Sequence, residues 1–134
     1  MSEPAPTPAG IDTNVLVYAL SDAADDPRNR MARRLLERCR REERPVMISA
    51  ISLAEYLVPF VEEQRADAEA AITTGFQVVP FDLKCGGLAA GLWTSGREQR
   101  TASGVGERGR LKADTLIVAS LKQAGAGEFF TRDP

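Results

Sequence analysis

At 134 residues the chain has the size of one domain, and its 43% hydrophobic and 27% charged residues give it a globular composition able to bury a core without disulfide or metal staples. A formal charge of -2 excludes holding nucleic acid by bulk attraction, so any such binding must use local patches. Histidine is absent, which removes an imidazole base, the Ser-His and Cys-His nucleophile pairs and most zinc sites, and Cys39 and Cys85 form no CxxC pair.

The leader MSEPAPTPAG is rich in Pro and small residues, so residues 1–9 read as a mobile tail and 10–134 as the folded domain. Met1 to Pro8 lacks the basic and apolar regions of a signal peptide, and no apolar run approaches the roughly 18 residues of a membrane span. A soluble, cytoplasmic protein without membrane contact is the expectation. A short strand ends around Ile11, and VLVYAL could open a helix or continue the strand, with the helix favoured. Asp26 and Pro27 read as an N-cap with proline at the first helical position, placing Met31, Leu35, Leu36 and Cys39 on one face. Val46 to Ile48 forms a second strand, followed by a helix through SAISLAEYLVPFVEE that Pro59 kinks and a further helix over about Arg65 to Ile72. Phe76 to Pro80 gives a third strand. A helix from Asp82 to Trp93, weakened by Gly86, Gly87 and Gly91, leads to a charged, glycine-rich loop between Arg97 and Arg110. A helix over about Lys112 to Ala124 buries Leu116, Ile117, Ser120 and Leu121 and stops at Gly125, before a last strand at Glu128 to Thr131. Short apolar segments alternating with helices predict an α/β fold with a mainly parallel central sheet flanked by helices.

In such a sheet ligands bind beyond the carboxyl ends of the strands, where Asp12 and Asp133 fall. Glu55 lies one to two turns into the helix after the second strand, and Asp114 in the first turn of the helix before the last. All four can point toward one mouth. Carboxylates without histidine or cysteine suit a hard cation, Mg2+ or Mn2+, and such an ion suits phosphodiester hydrolysis by orienting water and stabilising charge on phosphate.

The stretches IDTNVLVYAL, ISAISLAEYL, KADTLIVASL and FFTRDP resemble the four acidic motifs of PIN-domain nucleases, in the family order, and the resemblance spans nearly all of Gly10 to Pro134. Within that family the likeness is to VapC-type toxins, Mg2+-dependent ribonucleases restrained by an antitoxin. The resemblance implies a three-layer α/β/α fold and makes Asp12, Glu55, Asp114 and Asp133 the catalytic acids. Asp12 and Asp114 would be the strongest direct ligands, Glu55 and Asp133 would act directly or through water, and Asn14 and Thr131 would orient them. Two features depart from the family pattern: a segment usually follows the last motif, whereas the chain ends at Pro134, and the approach to Asp12 is Pro-rich.

Each acid also has an ordinary structural role. Asp12 can be an N-cap or Asx-turn residue, and Ser52-Leu53-Ala54-Glu55 reads as a capping box in which Glu55 satisfies a helix-end amide. Asp114 can complement a helix dipole, and Asp133 can be a solvated chain end. These roles are independent of one another, while one site explains all four positions. The arginines of Arg28 to Arg44 read as a solvated helix face, whereas Arg97, Arg100, Arg108, Arg110 and Lys112, in the loop leading straight to Asp114, read equally as solvated charges or as candidate RNA contacts, Arg108, Arg110 and Lys112 foremost. A serine hydrolase is excluded for want of G-x-S-x-G and histidine, and an aspartyl-phosphate phosphatase is disfavoured because Asn14 stands where that chemistry usually wants an aspartate. The expectation is a Mg2+-dependent endoribonuclease with an antitoxin partner, able also to form a homodimer. The alternative is a noncatalytic PIN-like module that binds RNA or protein.

Overall fold

A computed structural model describes the backbone of residues 6–102 and 113–131, and their side chains except over 96–102. The elements run β1 (Ala9–Ile11), α1 (Thr13–Leu20), α2 (Pro27–Arg41), β2 (Val46–Ser49), α3 (Ala50–Leu57), α4 (Glu62–Gly75), β3 (Gln77–Val79), α5 (Leu83–Ala102), α6 (Ala113–Gln123) and β4 (Glu128–Phe130). The four strands form one sheet in the order β3-β2-β1-β4, every pairing parallel. Gly10 stands opposite Met47 on one side and Phe129 on the other.

Alternation along the strands builds the layers. Ile11, Ile48, Val78 and Phe130 turn to one face, where α1 contributes Val15, Leu16 and Ala19, α2 Ala32, α3 Leu53 and Tyr56, and α4 Ile72. Met47 and Val79 turn to the other, against Ile117 and Leu121 of α6. Packed along α6 is α5, with Cys85, Ala89 and Trp93 buried at four-residue spacing. Helices on both sides of a parallel sheet give the three-layer α/β/α arrangement. Gly10 is the close approach in the second interface: a Cβ there would lie 2.9 Å from Leu121 Cδ1.

The chain is held from Thr7 onward. Arg44 Nε donates to the Thr7 carbonyl (2.8 Å), Gly127 N to that of Pro8 (2.9 Å) and Ala9 N to that of Pro45 (2.9 Å), while Arg44 Nη1 pairs with Glu128 at 2.8 Å. β1 thus begins at Ala9, inside the segment read from sequence as leader.

Most elements lie where their patterns put them, including the Asp26 N-cap with Pro27 at N1 and the α6 stop at Gly125, where φ is +95°. Three differ. Pro59 does not kink a continuous helix: α3 ends at Leu57, a turn follows, and α4 starts at Glu62 with two glutamates in its first turn. α5 runs on through residues 97–102, where the glycine-rich composition predicts a loop; the rest of that loop lies outside the described residues. On α2, Met31 is 56% exposed, and the buried positions are Asn29, Ala32 and Cys39. Asn29 is placed inward by its hydrogen bonds, for its Nδ2 donates to the carbonyls of Tyr18 (2.7 Å) and Ser21 (2.9 Å) and so completes the end of α1. No helix among the described residues is long and apolar enough to cross a membrane.

Candidate active site

β1 and β4 lie side by side but send the chain over opposite faces. From β1 it crosses to β2 through α1 and α2 on one side of the sheet, whereas β4 is reached from β3 through α5 and α6 on the other. The carboxyl ends of this pair are therefore the topological switch point, where a parallel sheet opens a crevice for ligand.

Asp12 leaves β1 at that crevice and is held from three directions. Its backbone N–H donates to the Phe130 carbonyl across the sheet (3.1 Å), and its Oδ1 accepts from Val15 N (3.0 Å) as the N-cap of α1. Its Oδ2 accepts from the Thr131 hydroxyl, just past β4. Capping and orientation are thus both served by one carboxylate, one oxygen each, and the ordinary role predicted for Asp12 does not compete with a functional one.

Glu55 reaches the same mouth by another route. Thr13 Oγ1, adjacent to Asp12 in sequence, donates to Glu55 Oε1 at 2.6 Å and lies 3.0 Å from the fully buried Ser52 hydroxyl. With only one hydroxyl hydrogen on Thr13, the second contact requires Ser52 to donate. Glu55 is therefore not the partner in a capping box. The N-cap of α3 is Ser49, whose Oγ accepts from Ile51 N at 3.1 Å, and Ser52 already lies inside the helix.

Asp114 is exposed in the first turn of α6, where the helix dipole favours its negative charge. The turns below it are pinned: Ser49 Oγ, at the carboxyl end of β2, lies 3.1 Å from Ser120 Oγ, which donates to the Leu116 carbonyl at 2.9 Å. This buried serine pair ties α6 to the junction from which α3 carries Glu55. Asn14, read from sequence as an orienting residue, is exposed on α1, and next to it Thr13 touches the Glu55 carboxylate.

The chain matches the PIN domain family over residues 10–134. It belongs to that family. PIN domains are generally nucleases. Among solved structures, VapBC2 from Rickettsia felis, bound to a DNA fragment from its promoter, aligns with TM-score 0.61 and 20% identity over 93% of this chain and 98% of that one. FitAB bound to an IR36 DNA fragment aligns with TM-score 0.62 and 19% identity over 92% and 94%. The toxin VapC20 of Mycobacterium tuberculosis, which cleaves the sarcin-ricin loop, aligns with TM-score 0.55 and 19% identity over 93% and 89%. No curated protein matches the chain.

Within the PIN domain, Asp133, Arg108, Arg110 and Lys112 lie outside the described residues. Among the described residues no three Asp, Glu, Cys or His side chains gather closely enough to hold a metal ion. The donors present at this mouth, carboxylates and hydroxyls, fit a hard divalent cation in kind. Beside them, α1, α2 and β4 enclose a cleft of about 300 Å³ lined by Val15, Tyr18, Met31, Leu35, Phe130 and Thr131 among others. Thr131 thus faces both the cleft and Asp12.

Proposed function

We propose that the chain is a Mg2+-dependent endoribonuclease that hydrolyses RNA phosphodiester bonds, acting in the cytoplasm as the toxin of a VapBC-type pair. The observation that carries this reading is the double anchoring of Asp12 at the β1/β4 switch point, by Val15 N and by Thr131, with Glu55 brought alongside through Thr13. Asp12, Asp114 and Asp133 are the residues assigned to hold the cation, with Glu55 as the further catalytic acid. Mn2+ is an equally suitable occupant by donor type. When bound, the ion supplies charge stabilisation at the phosphate and activation of the attacking water.

The chain's own groups supply the positioning. Asp12 has its carboxylate plane fixed by an amide and a hydroxyl, so it presents a preset geometry rather than a freely rotating side chain. Thr13 holds one oxygen of Glu55 and leaves the other for water or ligand. Asp114 enters on a helix that the Ser49–Ser120 pair keeps in register with α3. Arg108, Arg110 and Lys112, preceding Asp114 in sequence, are assigned to the RNA backbone.

The partner reading draws on likeness in fold to VapBC2 and FitAB, both solved on DNA fragments, and implies an antitoxin that covers this mouth. A homodimer through exposed apolar helix positions is compatible with it. A noncatalytic PIN module that binds RNA or protein is the competing reading. Purified protein incubated with RNA and Mg2+, with and without EDTA, separates the two. Cleavage that EDTA abolishes supports the nuclease; cleavage that survives chelation rejects the metal mechanism, and no cleavage of any RNA favours the binding module.

A further inference from the structure

Positive charge in this chain is concentrated on one element. α2 carries seven arginines and one glutamate in a protein whose formal charge is -2. Four of the arginines are used locally: Arg28 pairs with Asp26, Arg30 donates to the Asp25 carbonyl, Arg33 donates to the carbonyls of Ala19 and Ser21, and Arg40 pairs with Glu37. Arg34 and Arg41 are exposed and form no hydrogen bond or ion pair with a described residue, and Arg38 lies over the Phe130 ring at 5.5 Å. Positions 34, 38 and 41 share one side of a helix, about 6 and 10 Å along its axis from the first.

These three arginines line a shallow groove of about 610 Å³ together with Met31, Leu35 and Glu37. Met31, Leu35 and Arg38 also line the cleft that ends at Phe130 and Thr131. Groove and cleft are therefore continuous, and the far end is the residue whose hydroxyl holds Asp12. Side chains at the inner end are mainly apolar and aromatic, including Tyr18 and Phe130, with the Arg28 guanidinium 4.7 Å over the Tyr18 ring, while the outer end is cationic. A polyanion with flat apolar groups matches that sequence of surfaces, since phosphates pair with guanidinium and bases can lie on aromatic or aliphatic faces.

We propose that the α2 groove is the track for single-stranded RNA, with Arg34, Arg38 and Arg41 binding its phosphates and the Met31–Phe130 cleft leading the strand to Asp12. This inference rests on the nuclease reading and names the surface by which that site takes its substrate. The arginines of α2, read from sequence as a solvated face, acquire a ligand because of where the fold puts them.

The test is binding without cleavage. Wild type in EDTA is titrated with a fluorescently labelled single-stranded RNA oligonucleotide between about 50 and 200 mM salt, the range over which counterion release is read. Each phosphate contact contributes about 0.7 to the slope of log K against log salt, so an Arg34→Gln/Arg41→Gln variant loses about 1.4 of the wild-type slope. Lys122→Ala removes a positive charge from the last turn of α6, outside the groove, and leaves the slope near wild type. An unchanged slope in the double variant overturns the proposal, as does an equal loss in Lys122→Ala. It is likewise overturned if RNA binding is unaltered while a polyglutamate peptide binds wild type and not the double variant, which would assign the groove to an acidic protein segment. Because cleavage is not measured, failure of the nuclease reading shows separately, in the Mg2+ assay.

Discussion

Thr13→Val replaces the hydroxyl that joins Glu55 to Ser52 with a methyl group of similar shape. Two contacts go, Thr13 to Glu55 at 2.6 Å and Ser52 to Thr13 at 3.0 Å. The first is exposed and contributes little to stability, but the second leaves a fully buried hydroxyl without that partner. The expected loss is on the order of 1–2 kcal/mol, the cost of an unsatisfied buried group, which lowers Tm by roughly 3–8 °C in a domain of this size. Activity falls further than stability. Glu55 keeps its charge but loses the group that fixes its carboxylate, and loss of such an orienting partner costs about 10–100-fold. The loss should appear in kcat for a short RNA in Mg2+, measured well below the melting transition. Thr13→Ser restores the hydroxyl and should cleave close to wild type. If Thr13→Val and wild type share the same kcat, Thr13 does not position Glu55 and the second carboxylate has been placed in the site wrongly.

Glu55→Gln keeps the oxygen that accepts from Thr13, so its melting temperature should stay within about 2 °C of wild type while cleavage is lost; full activity would confine Glu55 to a structural role. Asn29→Ala removes both side-chain bonds to the end of α1, yet Ser21 N still reaches the Tyr18 carbonyl and Arg33 the Ser21 carbonyl, so the loss in urea unfolding should be about 2 kcal/mol. A change below about 0.5 kcal/mol would mean that Asn29 does not complete the helix. Gly10→Ala drives a methyl against Leu121 and should cost about 1–3 kcal/mol, and in a double-mutant cycle with Leu121→Ala the two losses should be less than additive. Strict additivity would contradict the contact.

The parallel sheet was legible in the sequence because short apolar segments such as Val46 to Ile48 alternate with amphipathic stretches, and the strand end at Ile11 followed from its position before Asp12. Asp12, Glu55 and Asp114 could be nominated from charge and the motifs, but the contacts that hold them are between residues far apart in the chain, Thr13 with Glu55 and Asp12 with Thr131. The part of Thr13 was not legible from spacing, since which residue of α1 faces α3 depends on how the helix is rolled against it. The capping-box reading of Ser52 and Glu55 failed for a local reason: the helix starts one turn earlier, at Ser49, whose hydroxyl is shared with Ser120. Met31 misled because an apolar residue on a helix stripe reads as core, whereas the stripe of α2 is shifted toward Asn29 and Ala32 by the hydrogen bonds Asn29 makes. Continuity of the arginine groove with the cleft at Thr131 was invisible until α2 and β4 were placed side by side.

The central claim is that Asp12 is a cation ligand as well as an N-cap, and Asp12→Asn separates the two roles. Asparagine retains an oxygen for Val15 N, and the Thr131 hydroxyl can rotate to accept from the new amide, so in EDTA the variant should melt within about 1 kcal/mol of wild type. A cation that binds only the folded state adds RT ln(1 + [L]/Kd), about 2.7 kcal/mol at one hundred times Kd. Thermal melts of both proteins in EDTA, Mg2+ and Mn2+ therefore give the most direct reading. Wild type should gain stability with the metal and Asp12→Asn should lose most of that gain; an equal gain in both would show that Asp12 does not hold the ion.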